Sequence, residues 1–103
     1  MLHTTVDKEP EPTVHLQGEM DLDCAETLRW AVGEATATAD HVTLDFGGVK
    51  FIDSSGTGIF VRLCLDLQQR GVKLRVHDLT PAVAQVFDML RVRELVGEEV
   101  FAD

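Results

Sequence analysis

Basic side chains are scarce in this sequence. Nine Lys and Arg stand against eighteen Asp and Glu, giving a formal net charge of −9 and a pI near 4.7. Non-specific nucleic-acid binding needs Lys and Arg to neutralise phosphates, so the composition argues against it, and equally against an anionic membrane surface. A protein partner with a basic face fits better, because complementary charge speeds encounter. Long apolar runs are missing: none approaches the roughly 18 residues of a membrane span. The segment Met1–Asp7 has neither a basic stretch nor an apolar one, so no signal peptide is read there and the expected compartment is the cytoplasm. Cysteine is limited to Cys24 and Cys64, both inside predicted helices, and these read as reduced core thiols. The four histidines, His3, His15, His41 and His77, are scattered, without Cys or His at metal-ligand spacing, so no metal and no cofactor are expected.

What is present is an ordinary folding composition: 45% hydrophobic and 26% charged residues in 103. That is enough for one domain with one core. Leu2–Val6 reads as a strand, the prolines of Glu9–Pro12 as a turn, and Val14–Gln17 as a second strand ended by Gly18. Apolar residues at Leu22, Ala25, Leu28, Val32 and Ala35 have helical spacing, with either Asp21 or an Asp23/Glu26 pair as the cap and Trp30 as a packed edge residue. Val42, Leu44 and Phe46 alternate as a strand, Gly47-Gly48 interrupts it, and Val49, Phe51 and Ile52 carry apolar side chains up to Asp53. A helical period runs from Ser54 through Ile59, Phe60, Leu63, Cys64 and Leu67 to a stop at Arg70-Gly71. Val72, Leu74 and Val76 form a further strand. Thr80-Pro81 then starts a helix striped by Val83, Val86, Phe87 and Leu90. Beyond Arg91 the pattern weakens, and Leu95, Val96, Val100 and Phe101 suggest a short last strand or a packed tail. The alternation predicts an α/β domain: a small mixed sheet with mostly parallel central strands and three or four helices.

In such a sheet the strand-to-helix turns lie at the carboxyl ends of the parallel strands. Three turns are expected at that edge: Asp21 and Asp23 in the first, Asp53, Ser54, Ser55 and Thr57 in the second, Asp78 and Thr80 in the third. Asp, Ser and Thr are also what helix starts prefer, so a capping role accounts for Asp23 and Thr80. It accounts less well for two adjacent serines, since one cap needs one hydroxyl. Enzyme readings find little support. There is no Gly-x-Ser-x-Gly elbow, although His77 is a conceivable neighbour of Ser55, and no dinucleotide or phosphate-binding glycine loop. Mg²⁺ on the carboxylates is the remaining metal option. The expectation is a non-enzyme with no catalytic residues.

Phe51-Ile52-Asp53-Ser54-Ser55-Gly56-Thr57-Gly58 resembles the signature of the STAS domain (sulfate transporter and anti-sigma-factor antagonist). Gly18-Glu19-Met20-Asp21 resembles the family's segment before its first helix. Thr80-Pro81-Ala82-Val83 and Phe87-Asp88-Met89-Leu90 resemble its third-helix segment. The resemblance covers nearly the whole chain and implies one STAS domain over residues 1–103. A free-standing domain of this size, with both serines, is similar to the bacterial anti-sigma-factor antagonists. That implies partner switching. The unphosphorylated protein binds an anti-sigma factor that is also a serine kinase, supplying ATP and Mg²⁺, and so frees a sigma factor. Phosphorylation on Ser55 ends the complex, and a serine phosphatase resets it. The implied partner-binding residues are Asp21, Asp53, Ser54, Ser55, Gly56 and Thr57, with Ser54 helping to form the turn, in a monomer. The alternative is a STAS scaffold or sensor subunit, in a signalling particle or lipid-transport assembly, that is never phosphorylated. Two departures stand out: Thr57 replaces a frequent Leu and brings a possible second hydroxyl, and a usual Gly near the third helix C-terminus is replaced around Arg91-Val92-Arg93.

Overall fold

The structure, a computed structural model, describes residues 1–101, so the last two residues of the expected 1–103 domain lie outside it. Alternation of apolar and polar residues sets up a four-stranded sheet in the order β1 (Leu2–Asp7), β2 (Thr13–Met20), β3 (His41–Ile52), β4 (Lys73–His77). β1 and β2 form an antiparallel hairpin, while β2–β3 and β3–β4 are parallel, joined by helical crossovers. The helices are α1 (Ala25–Ala35), entered through a 3₁₀ turn at Leu22–Cys24, α2 (Ser54–Gln69), α3 (Pro81–Met89) and α4 (Val92–Val96). This is the expected mixed α/β architecture.

Every other strand residue faces the helices. Val14, Leu16, Val42, Leu44, Phe46, Leu74 and Val76 are buried together with Leu28, Phe60, Leu63, Leu67 and Phe87 from α1–α3. Phe60 stacks on Phe87 with ring centroids 5.1 Å apart, and Phe46 meets both edge-on at 5.6 and 5.9 Å. One strand and two helices are thereby tied through a dry aromatic contact. Cys24 and Cys64 are buried and free, and burial pushes the Cys64 thiol up to about 12, so neither is a reactive thiolate.

Three features differ from the sequence-based expectation, and a fourth decides between two alternatives. Gly18 does not end β2. It takes φ +101° at a register shift, a Cβ there would collide with the Met1 carbonyl, and pairing resumes through Met20. Gly47-Gly48 does not interrupt β3 but bulges it: between the His15–Asp45 and Met20–Ile52 pairs, β3 spends more residues than β2. Two one-residue shifts, between Asp45 and Gly48 and between Val49 and Phe51, move the inward position from Phe46 to Val49 and then to Ile52, so Ile52 is buried while Phe51 is 50% exposed. Of the two tail alternatives, the packed tail is the one observed and the strand is not. Arg91 adopts φ 55° and starts α4, followed by a 3₁₀ turn at Glu98–Phe101 whose Val100 is buried and whose Phe101 ring receives the Arg93 guanidinium at 4.5 Å. Arg91 is thus the left-handed residue in the stretch where the STAS resemblance leads one to expect a glycine. Finally, Trp30 is 65% exposed, not packed at an edge.

On the sheet face away from the helices, His15 bridges three strands. Its Nδ1 lies 2.9 Å from Asp45 Oδ2 and its Nε2 3.0 Å from Asp7 Oδ2. The Asp45 hydrogen bond, assisted by Asp7 and opposed by partial burial, holds the imidazole above its ordinary pKa. Burial works to raise the Asp45 carboxyl, but the Gly47 N–H and His15 outweigh it and keep it below its ordinary value. A raised histidine stabilises fully below its unfolded value near 6.5, and that contribution is lost as pH climbs through the higher folded value. The depressed Asp45 does the reverse, contributing above 3.8 and losing it at lower pH. Unfolding titrations in urea at pH 5.5 and 8.5 are therefore expected to show more loss of stability in the wild type than in His15→Gln. The difference is at most about 1 kcal/mol, since these groups are partly solvated. Equal pH dependence in the two proteins would refute the bridge as a stabilising element.

Candidate functional site

Two neighbouring parallel strands leave the sheet at the same level. Met20 pairs with Ile52, so Asp21 and Asp53 follow side by side. Asp21 is extended (φ −126°, ψ −163°) and caps the 3₁₀ turn, its carboxylate accepting from the Asp23 N–H at 3.1 Å. Of the two caps the sequence allows, Asp21 is the one used, because α1 itself has no side-chain cap. Asp53 is extended as well (φ −112°, ψ −175°) and caps α2, its Oδ1 accepting from the Gly56 N–H at 2.8 Å. The cap is an aspartate, so neither serine is required to provide one.

The two turns are locked together by one carbonyl. Met20 O accepts from the Asp53 N–H at 3.3 Å, and the same carbonyl abuts Gly56, where a Cβ would collide with it. Gly56 is buried for that reason. Thr57 is 3% exposed, and its hydroxyl donates to Asp53 O at 2.9 Å, so the second hydroxyl suggested by the sequence is internal and spent within the helix start. Ser54 and Ser55, in the first turn of α2, are exposed, and neither hydroxyl is engaged by another described residue.

The carboxylates converge electrostatically. The Cys24 thiol, first by burial and then by the Asp21, Asp53 and Asp23 carboxylates, is held above its ordinary pKa. The third expected turn is not part of this cluster. β4 ends at His77 opposite Asp45, and Thr80 Oγ1 donates to Val49 O at 3.1 Å, so α3 starts well back along β3. At ~3.3 Å per residue the level of Asp45 lies roughly 20 Å from the end of β3, and that of Val49, where Thr80 bonds, roughly 10 Å. Asp78, with φ 60°, and Thr80 therefore shape the α3 entry, where Thr80 caps Val83 N–H. His77 is set back with them and does not flank Ser55. Among the described residues, no group of three or more His, Cys, Asp or Glu is arranged to hold a metal ion, and no helix is long and apolar enough to cross a membrane.

Sequence reasoning missed two exposed apolar residues on the flanks of this turn. Leu22, 73% exposed, follows Asp21, and Phe51, 50% exposed, precedes Ile52-Asp53. By sequence Leu22 belongs to the helical apolar pattern and Phe51 to the apolar run that leads up to Asp53. A bulge at the glycine pair alone would place Phe51 on the face of buried Val49; the second register shift, after Val49, turns it outward, and no residue there signals that shift.

The protein-family model described as "Mlab, STAS domain" matches residues 4–97. An anti-sigma F factor antagonist of Paenibacillus polymyxa is 31% identical over 78 residues, covering 74% of this chain and 67% of that protein. The solved anti-sigma factor antagonist SpoIIAA in its unphosphorylated form superposes with a TM-score of 0.68 at 20% identity, covering 92% of this chain and 84% of that one. The Bacillus cell fate determinant SpoIIAA in its phosphorylated form gives 0.63 at 18% identity over 92% and 87% of the two chains.

Two glycines of α2 are expected to respond oppositely to a methyl group. Gly56→Ala forces a Cβ onto the Met20 carbonyl and is expected to cost about 1–3 kcal/mol. A Cβ at Gly58 meets nothing within 4 Å, so Gly58→Ala is expected to gain about 0.5–1 kcal/mol of helix stability. Chemical denaturation of the two variants checks this, and a neutral Gly56→Ala would contradict the packing described.

Proposed function

The chain belongs to the STAS domain family, and on that premise we propose that it is an anti-sigma-factor antagonist switched by phosphorylation of Ser55. Unphosphorylated, it binds an anti-sigma factor that is also a serine kinase and so frees a sigma factor in the cytoplasm. Its role is regulatory, not catalytic, with the kinase bringing ATP and Mg²⁺. The observation that carries the reading is the pair of exposed, unengaged serine hydroxyls at the start of α2, beside Asp21 and Asp53, in a turn whose cap and core are already supplied by Asp53, Gly56 and Thr57. Of the two serines, Ser55 is assigned because it matches the second serine of the family's Asp-Ser-Ser-Gly acceptor motif.

In the transfer step the Ser55 Oγ forms a bond to the γ-phosphorus of ATP while the bond to the ADP oxygen breaks. The hydroxyl proton passes to a base of the kinase. The product adds about −1.5 to −2 charges to a surface that already holds Asp21, Asp23 and Asp53. The start of α2 offsets only about 0.3–1 kcal/mol of this. At a closed interface an unpaired charge beside those carboxylates costs several kcal/mol, which is enough to separate the partners without refolding the domain. Leu22 and Phe51 supply apolar contact on either side. A serine phosphatase then hydrolyses the ester and restores binding.

The test mixes the protein with kinase-type anti-sigma factors from the same genome and ATP, then maps the phosphate. Phosphate is expected on Ser55. Ser55→Ala is expected to stay bound in ATP, and Ser55→Asp to bind about ten-fold or more weakly, as ~1.4 kcal/mol per decade requires. Continued modification of Ser55→Ala would refute the site, and equal affinity of the two variants would refute the charge switch. Binding with no phosphate transfer from any such kinase would favour the scaffold or sensor reading.

A further inference from the structure

The helices that start at the two acidic turns diverge from an open groove that the serine chemistry does not use. Leu28 of α1 and Ile59 and Leu63 of α2 line its apolar part. Arg29, Arg62 and Asp66 supply its charge, around a volume of about 140 Å³. Arg29 and Arg62 are exposed, and neither guanidinium is engaged by a carboxylate or ring among the described residues. In a chain of net charge −9, a groove with two unpaired arginines and one aspartate is a local reversal of sign.

The groove and the serine turn share helix α2. Ser55, Gly58, Arg62 and Asp66 recur at helical spacing on the exposed side of α2. At ~1.5 Å per residue, Arg62 lies roughly 10 Å from Ser55, within the footprint of any protein that closes on the serine. Between them sits Gly58. Gly56 is demanded by the Met20 carbonyl, but nothing in the fold demands Gly58: its face is open and a Cβ there would touch nothing within 4 Å. A glycine inside a helix is destabilising relative to alanine, and a bare backbone allows another chain to approach closely.

We propose that this groove, together with the bare backbone at Gly58 beside it, is a second docking site for the anti-sigma partner, receiving a segment that carries an acidic side chain next to an apolar one. The inference rests on the antagonist reading above. The apolar side chain enters between Leu28, Ile59 and Leu63, and the carboxylate pairs with Arg29 and Arg62. The partner is then read with two signs, basic towards Asp21 and Asp53 and acidic towards the groove, which sets its register on α2 before any phosphate is transferred. Phosphorylated Ser55 lies outside the groove, so the docking site persists while the serine end is repelled.

The experiment titrates the kinase-type anti-sigma factor, loaded with ADP, into wild type, Arg29→Glu/Arg62→Glu, Gly58→Ala and Ser55→Asp, by calorimetry at low and high salt. Thermal melts are run in parallel. The double reversal is expected to keep the wild-type melt and lose about ten-fold or more in affinity, with a smaller loss at high salt. Gly58→Ala is expected to melt higher and bind several-fold more weakly. Wild-type affinity in both variants, with Ser55→Asp still weakened, would overturn the groove and leave the antagonist reading standing. Absence of any binding by wild type would remove the antagonist reading and this one with it. A concentration-dependent dimer of the wild type alone, abolished by the double reversal, would assign the groove to a second copy of this chain and overturn the proposal.

Discussion

The Met20 carbonyl is the contact on which the site depends. It accepts the Asp53 N–H and rests against the bare α-carbon of Gly56, so the end of β2 and the start of α2 are held by the same atom. A polar group placed this close to a helix start has no room for a side chain, and its hydrogen bond is protected from water. Asp21 and Asp53 are therefore presented side by side by backbone, not by side-chain packing. Ser54 and Ser55 project beyond them because the capping work has already been done by Asp53. The aromatic contact of Phe46, Phe60 and Phe87 fixes α2 over the sheet and makes that presentation rigid.

Charge is then distributed with a direction. The strand ends carry carboxylates, and the α1–α2 groove behind them carries unpaired arginines. A surface with both signs in sequence along one helix discriminates partners better than a uniformly acidic one, because a misplaced partner meets like charge at one end or the other. The open face of the sheet plays a different role. There, His15 between Asp7 and Asp45 ties the hairpin to β3, which keeps the end of β2 aligned with the end of β3.

Much of the fold was legible because local chemistry agreed with the global structure. Thr80-Pro81 did start a helix, Arg70-Gly71 did stop one, and strands alternated as their side chains required. The Asp53–Gly56 segment was recognised as a helix start with spare hydroxyls. The misreadings share a cause. Gly18 and Gly47-Gly48 are breakers by local rules, yet pairing with the neighbouring strand carries the ladder across them as bulges. Leu22 has the spacing of the helical stripe, Phe51 belongs to an apolar run, and Trp30 reads as a packed edge residue by its place beside the stripe. Each of those readings lacked knowledge of which face the tertiary structure covers. The third turn was expected beside the other two because strand ends were taken as level, whereas β4 stops opposite Asp45.

By itself the sequence determined the order of elements, the start of α3 at Thr80-Pro81 and the place of the serine turn, since these are set by contacts within a few residues along the chain. Tertiary structure alone decided which hydroxyls face solvent, which carboxylates meet and where the arginines form a groove. Thr57 and Ser55 are equivalent by composition, but the helix start buries one hydroxyl on Asp53 and exposes the other. Asp21 and Asp78 both follow strands, but only Asp21 follows one that ends level with β3. Such distinctions arise from strand register and from a single close backbone approach, both of which join residues distant in sequence.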